Sequence, residues 1–198
     1  RPVDQFVGAY PEPAIRKFLA PHCPSEAGKL YAIAEQRLQS GKLEEAQKLF
    51  GELLKIEPGH AAAHLALAKV LIGAKQINEA RHHLDAISMS DAEYDAASRL
   101  KEVLAFHDQC QEAGGDAACR QKLAANPKDL EARLGLASCL ASEGKYPEAL
   151  EEFLAIVARD KRFRDETARK SMLAIFSLVG ERSDLAEEYR QRLARTLY

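Results

Sequence analysis

Hydrophobic and small residues recur along this chain at the three-to-four spacing that places side chains on one face of an α-helix. Leu30, Ile33 and Ala34 follow this spacing in the first clear segment, and similar segments continue to the end of the chain. Gly41 falls at a predicted turn, and Pro58 marks a point where a helix must end. No polar–apolar alternation typical of a strand occurs after residue 8. The pattern predicts an all-α protein.

The helical segments repeat along the chain. Three of them align on a small residue that follows a glutamate, namely Ala46, Ala80 and Ala149. The first two are separated by one period of about 34 residues, and the third follows after roughly two more such periods. This period in helix–turn–helix units is the signature of the tetratricopeptide repeat (TPR). We therefore predict an α-solenoid of about five TPR-like helix hairpins with one extra N-terminal helix near residues 11–20; the alternative is a generic helical bundle.

The repeat is degenerate between about residues 90 and 127. Ser90 and Glu93 have the spacing of a capping box, which predicts that a helix begins there and runs to about Cys110. The last two helices are predicted over residues 165–179 and 183–197. One hairpin fits into the degenerate region, so the repeat register is kept.

Composition excludes several classes of function. The chain has 28 basic and 30 acidic residues with a net charge of -2 and no tryptophan, which argues against nucleic acid as a partner. No apolar run approaches the ~20 residues of a membrane span. His60 and His64 are one helical turn apart, but no third ligand is evident, and we predict neither a metal site nor a cofactor. No nucleophile–base pair indicates an enzyme.

The four cysteines are Cys23, Cys110, Cys119 and Cys139, and none of them forms a C-x-x-C pair. One interpretation is four reduced thiols in a cytoplasmic protein. The other is a disulfide between Cys110 and Cys119, if the two glycines between them form the turn of a helix hairpin.

Stacked hairpins present a concave surface that is lined by the first helix of each unit. In the repeat register, the residues predicted to form a client-binding groove are Tyr31, Leu38, Leu65, Lys69, Ile72 and Leu134. This set is mostly aliphatic with few cations, which disfavours a clamp for a peptide carboxylate and favours an apolar partner. Alternatively, the groove is filled by the chain's own first helix, which carries Ile15, Phe18 and Leu19.

Two parts of the sequence resemble a known family. The opening VDQFVGAYPEPAIRKFL resembles the last strand, glycine and last helix of a thioredoxin fold. Near the other end, RDETARKSMLAIF, EEYRQRL and the terminal LY resemble the chaperedoxins, bacterial thioredoxin-like co-chaperones with TPR hairpins. The resemblance implies a thioredoxin remnant over residues 1–22 and a TPR-like helical domain over residues 23–198.

The resemblance also implies a function. Chaperedoxins are cytoplasmic proteins of the stress response that hold unfolding clients and pass them to the chaperonin or the Hsp70 system. Because the catalytic half of the thioredoxin domain is missing, redox activity is not expected of this chain, and it is not predicted to be an enzyme. Two alternatives remain open: the substrate-positioning region of a thiol-disulfide oxidoreductase, and a generic TPR scaffold for one fixed partner. The oligomeric state is also open.

Overall fold

A computed structural model describes residues 25–197 of the chain. The predicted thioredoxin remnant and the extra N-terminal helix, with Ile15, Phe18 and Leu19, lie outside the described residues. The chain divides into two compact units, and the boundary falls between Tyr94 and Asp95. Each unit is described separately below.

Over residues 25–94, the first unit contains two helix hairpins. Its helices are α1 (Glu26–Gln39), α2 (Leu43–Ile56), α3 (Ala61–Gly73) and α4 (Ile77–Asp85). α1 packs on α2, α2 on α3 and α3 on α4, so neighbouring helices share one core. Ser25 caps α1 by accepting a hydrogen bond from the Gly28 amide at 3.0 Å. That bond satisfies one of the amides that a helix leaves unpaired at its start.

Over its described residues, the second unit contains six helices. Its helices are α5 (Tyr94–Glu112), which begins at the boundary, α6 (Gly115–Ala125), α7 (Leu130–Ser142), α8 (Tyr146–Arg159), α9 (Thr167–Val179) and α10 (Asp184–Leu197). α8 lies at the centre of this unit, because α7, α9 and α10 all pack against it. Phe106 of α5 packs its ring against Phe153 of α8, with centroids 6.1 Å apart. The predicted all-α class and α-solenoid architecture are thus confirmed over the described residues, which form ten helices.

The residues that defined the repeat occupy its helix crossings. Ala46, Ala80 and Ala149 are each completely buried, and so are the large side chains one turn later, Phe50 and Phe153. A methyl group at the crossing leaves room for the backbones to approach, while the larger side chain fills the space beside it. These alanines therefore recur at a regular spacing because each helix crossing needs a small side chain.

Helix ends agree with the sequence in some places and differ in others. α9 and α10 begin and end within two residues of their predicted bounds, and Ser183 accepts a hydrogen bond from the Ala186 amide at 3.3 Å. α5 begins at Tyr94, so the predicted capping box at Ser90 is wrong. Asp91 instead accepts hydrogen bonds from the amide and hydroxyl of Ser88, at 2.8 and 2.9 Å, which closes a separate turn before the helix.

Candidate functional site

On α1, two of the predicted groove residues are half-buried. The Tyr31 ring stacks on His60 with centroids 5.1 Å apart, and its hydroxyl donates a hydrogen bond to Glu35 Oε1 at 2.9 Å. Burial, and then the hydrogen bond to Glu35, raises the pKa of Tyr31 to about 12. Leu38 lies two turns after Tyr31 on the same face and is also half-buried. This face of α1 combines apolar surface with a fixed, neutral tyrosine.

On α3, the three predicted groove residues differ in accessibility. Leu65 is 9% exposed and belongs to the core, Ile72 is half-buried, and Lys69 is exposed. The repeat register aligns them with Tyr31, Glu35 and Leu38 of the preceding hairpin. On this face of α3, the Ile72 side chain and the Lys69 ammonium group are accessible to a partner, whereas Leu65 is buried.

In the second unit, Leu134 lines a cavity of about 550 Å³ beside α7, although the residue is 4% exposed. The cavity also has several charged walls, contributed by Glu112, Lys122, Asp129, Glu131 and Arg164. Arg164 pairs with Glu131 at 3.2 Å, and Lys122 donates to the Ala113 carbonyl at 3.3 Å. The sequence predicted a mostly aliphatic groove, whereas this cavity is polar because loop and helix-end residues line it together with α7.

The predicted groove face of α7 is covered by the end of α5. The Ser138 hydroxyl, which is fully buried, lies 2.8 Å from Gln109 Oε1 and 3.0 Å from the Leu134 carbonyl. An added Cβ at Gly135 would lie 2.3 Å from the Ala113 Cβ atom. Such contact is possible because Gly135 has no side chain. The glycine within a helical segment was the sequence signal for this close approach, and sequence reasoning missed it.

A disulfide joins α5 to α7, and it differs from the expected pairings. Cys110 bonds to Cys139, with Cα atoms 4.6 Å apart. The predicted Cys110–Cys119 pair is therefore wrong, and so is the interpretation of Cys110 and Cys139 as reduced thiols. Cys119 is a free, buried thiol whose pKa is raised by burial. The close packing of α5 on α7 decides the pairing, since it brings Cys110 to a residue 29 positions away.

Family models recognise the repeats directly. Two tetratricopeptide-repeat models match the sequence, one over residues 37–104 and the other over residues 109–198. Tetratricopeptide repeats therefore occupy residues 37–104 and 109–198 of the chain. TPR hairpins are protein-binding modules, and the repeat region is a scaffold for protein interaction. No curated protein sequence matches this chain.

Several solved structures resemble the TPR chain. A domain of a protein of unknown function from Vibrio parahaemolyticus is 26% identical, with 86% of this chain and 99% of that domain covered and a TM-score of 0.38. MamA is 21% identical, with 83% and 94% covered and a TM-score of 0.39. YrrB, a TPR protein with an unusual peptide-binding site, is 19% identical, with 92% of each chain covered and a TM-score of 0.38.

The histidines of the first TPR unit contact helix ends and one another. His60 Nδ1 accepts a hydrogen bond from the Ala63 amide at 3.2 Å and so caps α3. His64 is buried, and its Nδ1 atom lies 3.0 Å from Nδ1 of His83 on α4. Within residues 25–197, no group of three or more histidine, cysteine or carboxylate side chains is arranged to hold a metal ion. Nor is any helix in that range both long and apolar enough to cross a bilayer.

Proposed function

We propose that this chain is the client-binding module of a thioredoxin-like co-chaperone, which holds unfolding proteins. The observation that carries the proposal is the face of α1 and α3 in the first unit. There, Tyr31, Leu38 and Ile72 leave apolar surface accessible, and Lys69 is the exposed cation among the predicted groove residues. Unfolding proteins expose extended apolar segments, and a surface of this composition suits them better than it suits a charged peptide terminus.

We propose further that the clients pass from this module to the chaperonin or to the Hsp70 system in the bacterial cytoplasm. Support comes from the resemblance of the C-terminal helices, which carry RDETARKSMLAIF and EEYRQRL, to those of the chaperedoxins. The cavity beside Leu134 in the second unit is our proposed second contact with the client. Its paired charges, Glu131 with Arg164, offer polar contacts to the peptide backbone.

The client site is tested with two Ile→Asp variants. Ile72→Asp places a charge on the proposed groove, whereas Ile56→Asp places the same charge at an exposed isoleucine, 50% accessible, at the end of α2. We expect the wild type and Ile56→Asp to suppress the aggregation of two unrelated heat-denatured enzymes, measured by light scattering. Ile72→Asp should lose most of that activity, since a carboxylate resists transfer into an apolar contact.

Circular dichroism serves as the control, because both variants should keep the wild-type helical signal. If Ile72→Asp suppresses aggregation as well as Ile56→Asp, the groove is not the client site. Suppression of one enzyme but not the other would favour a scaffold for one fixed partner. Co-sedimentation with purified chaperonin, with and without a denatured client, tests the transfer step separately.

A further inference from the structure

One pair of equivalent positions, which joins the first helix of a hairpin to the second, holds different residues in three of the TPR hairpins. In the second unit, Arg133 of α7 pairs with Glu152 of α8, and its guanidinium also donates to the Pro127 carbonyl at 3.1 Å. The same three positions two repeats earlier are His64, His83 and Pro58, and His64 Nε2 lies 2.9 Å from the Pro58 carbonyl. In the first hairpin the corresponding pair is Leu30 and Leu49.

The hydrogen bonds of the histidine pair fix its protonation. A carbonyl oxygen can only accept, so His64 Nε2 carries a proton and donates it to Pro58. Neutral His64 then has a bare Nδ1 atom, which accepts a hydrogen bond from Nδ1–H of His83 across 3.0 Å. His83 can take up a proton at its other nitrogen without breaking this bond. His64 has no free ring nitrogen, because Nε2 donates to Pro58 and Nδ1 accepts from His83; an N–H group at His64 Nδ1 would face the N–H group of His83.

The groups that act on His83 all oppose added positive charge. Burial lowers the pKa of His83 below its ordinary value of 6.5. The neighbouring imidazoles, His64 on α3 and His82 on α4, lower it further. The two neighbouring imidazoles are the charged groups that act on His83. Below about pH 6.5 the unfolded hairpin therefore binds more protons than the folded one. The stability that the pair contributes is complete above that pH and is lost as the pH falls.

We infer that the His64–His83 pair is a pH-sensitive clamp that holds α3 to α4 at neutral pH and releases this hairpin on acidification. We expect no such response from the α7–α8 hairpin, because an Arg133–Glu152 ion pair replaces the two imidazoles there. The affected hairpin carries Lys69 and Ile72. Acid would therefore loosen one part of the molecule selectively. The inference concerns local stability and does not depend on what the groove binds.

Native-state hydrogen exchange of the whole chain tests the clamp. Amide protection, corrected for intrinsic exchange rates, is compared at about pH 7.5 and about pH 5.5. We expect protection across residues 61–85 to fall by up to about tenfold relative to protection across residues 130–159, since pH 5.5 lies about one unit below the pKa of an imidazole in the unfolded chain. An equal change in both hairpins would overturn the inference.

Exchanging the pairs between hairpins provides matched controls. The double variant His64→Arg/His83→Glu should lose the selective response to acid, and Arg133→His/Glu152→His should confer a similar response on the α7–α8 hairpin. If His64→Arg/His83→Glu does not fold, His64→Leu/His83→Leu, which copies the pair of the first hairpin, takes its place. Persistence of the acid response in a folded variant without the two histidines would show that the clamp is elsewhere.

Discussion

At the scale of single residues, one position in the turn of three TPR hairpins requires a left-handed backbone conformation, which is strained for any residue except glycine. Gly41 and Gly144 adopt positive φ angles of 73° and 75° after the first helix of their hairpins. The equivalent residue in the α3–α4 hairpin is Lys75, with a φ of 62°. A side chain in the left-handed region crowds the backbone, which glycine avoids. The lysine therefore forms the same turn at a higher cost.

Replacing Lys75 with glycine should stabilise the protein. We expect Lys75→Gly to raise the free energy of unfolding by about 0.5–1 kcal/mol, because relief of the left-handed strain exceeds the added entropy of the unfolded chain. The reciprocal variant Gly144→Lys should lower it by about 1 kcal/mol. Urea denaturation followed by circular dichroism measures both changes. A less stable Lys75→Gly variant would show that the lysine side chain makes a contribution that the turn geometry does not explain.

At the scale of helices, α7 is the most enclosed element of the second unit. Leu134, Gly135, Ser138 and Ala141 are all buried, although Leu134 was predicted to line the groove. The end of α5 and the start of α6 cover this face. Close packing there requires a glycine, since Cys119 Sγ would lie 2.8 Å from an added Cβ atom at Gly135.

Gly135→Ala should therefore destabilise the second unit. An alanine normally favours a helix by about 1 kcal/mol over glycine, but here the new methyl group overlaps Ala113 and forces the helices apart, at a cost of about 1–3 kcal/mol. Gly51→Ala in α2 is the matched control, because a Cβ atom there meets nothing within 4 Å. We expect Gly51→Ala to raise the melting temperature and Gly135→Ala to lower it. Equal gains in both would mean that α5 and α7 can separate without cost.

At the scale of the whole molecule, the two units differ in their covalent constraint. The described part of the first unit has no disulfide, whereas the Cys110–Cys139 bond closes a loop within the second. A cross-link stabilises a fold mainly by limiting the unfolded chain, and a separation of 29 residues contributes about 3–4 kcal/mol. The buried Cys119 thiol, with its raised pKa, is a poor nucleophile for exchange with this bond.

Reduction should thus weaken one unit and leave the other unchanged. With dithiothreitol present, we expect hydrogen-exchange protection in α7 and α8 to fall, while protection in α1 and α2 stays the same. The variant Cys110→Ser/Cys139→Ser should behave like the reduced protein and show no further response to reductant. Cys119→Ser should retain the response, since it leaves the disulfide intact. Loss of protection in both units on reduction would contradict this account.

Much of the fold could be predicted from local patterns in the sequence. Ala46, Ala80 and Ala149 predicted the helix crossings because close packing there tolerates only a small side chain. Gly41 marked a turn, and the bounds of α9 and α10 followed from periodicity. The start of α5 was misplaced, because Ser88 and Asp91 compete with Ser90 for the same turn chemistry. Local patterns locate helices, but they rank neighbouring caps poorly.

The sequence by itself determined the fold class of this protein. Each TPR hairpin repeats the same apolar spacing along its helices, a similar turn, and a small residue where the two helices cross. Tertiary structure alone decided which of the predicted groove residues are accessible to a partner. Leu65 and Leu134 are buried while Lys69 is exposed, although the repeat register treats all three as groove positions. It also decided that Cys110 meets Cys139 and that His64 meets His83. Such contacts join residues on different helices, and their distances depend on how the helices pack rather than on the spacing along the chain.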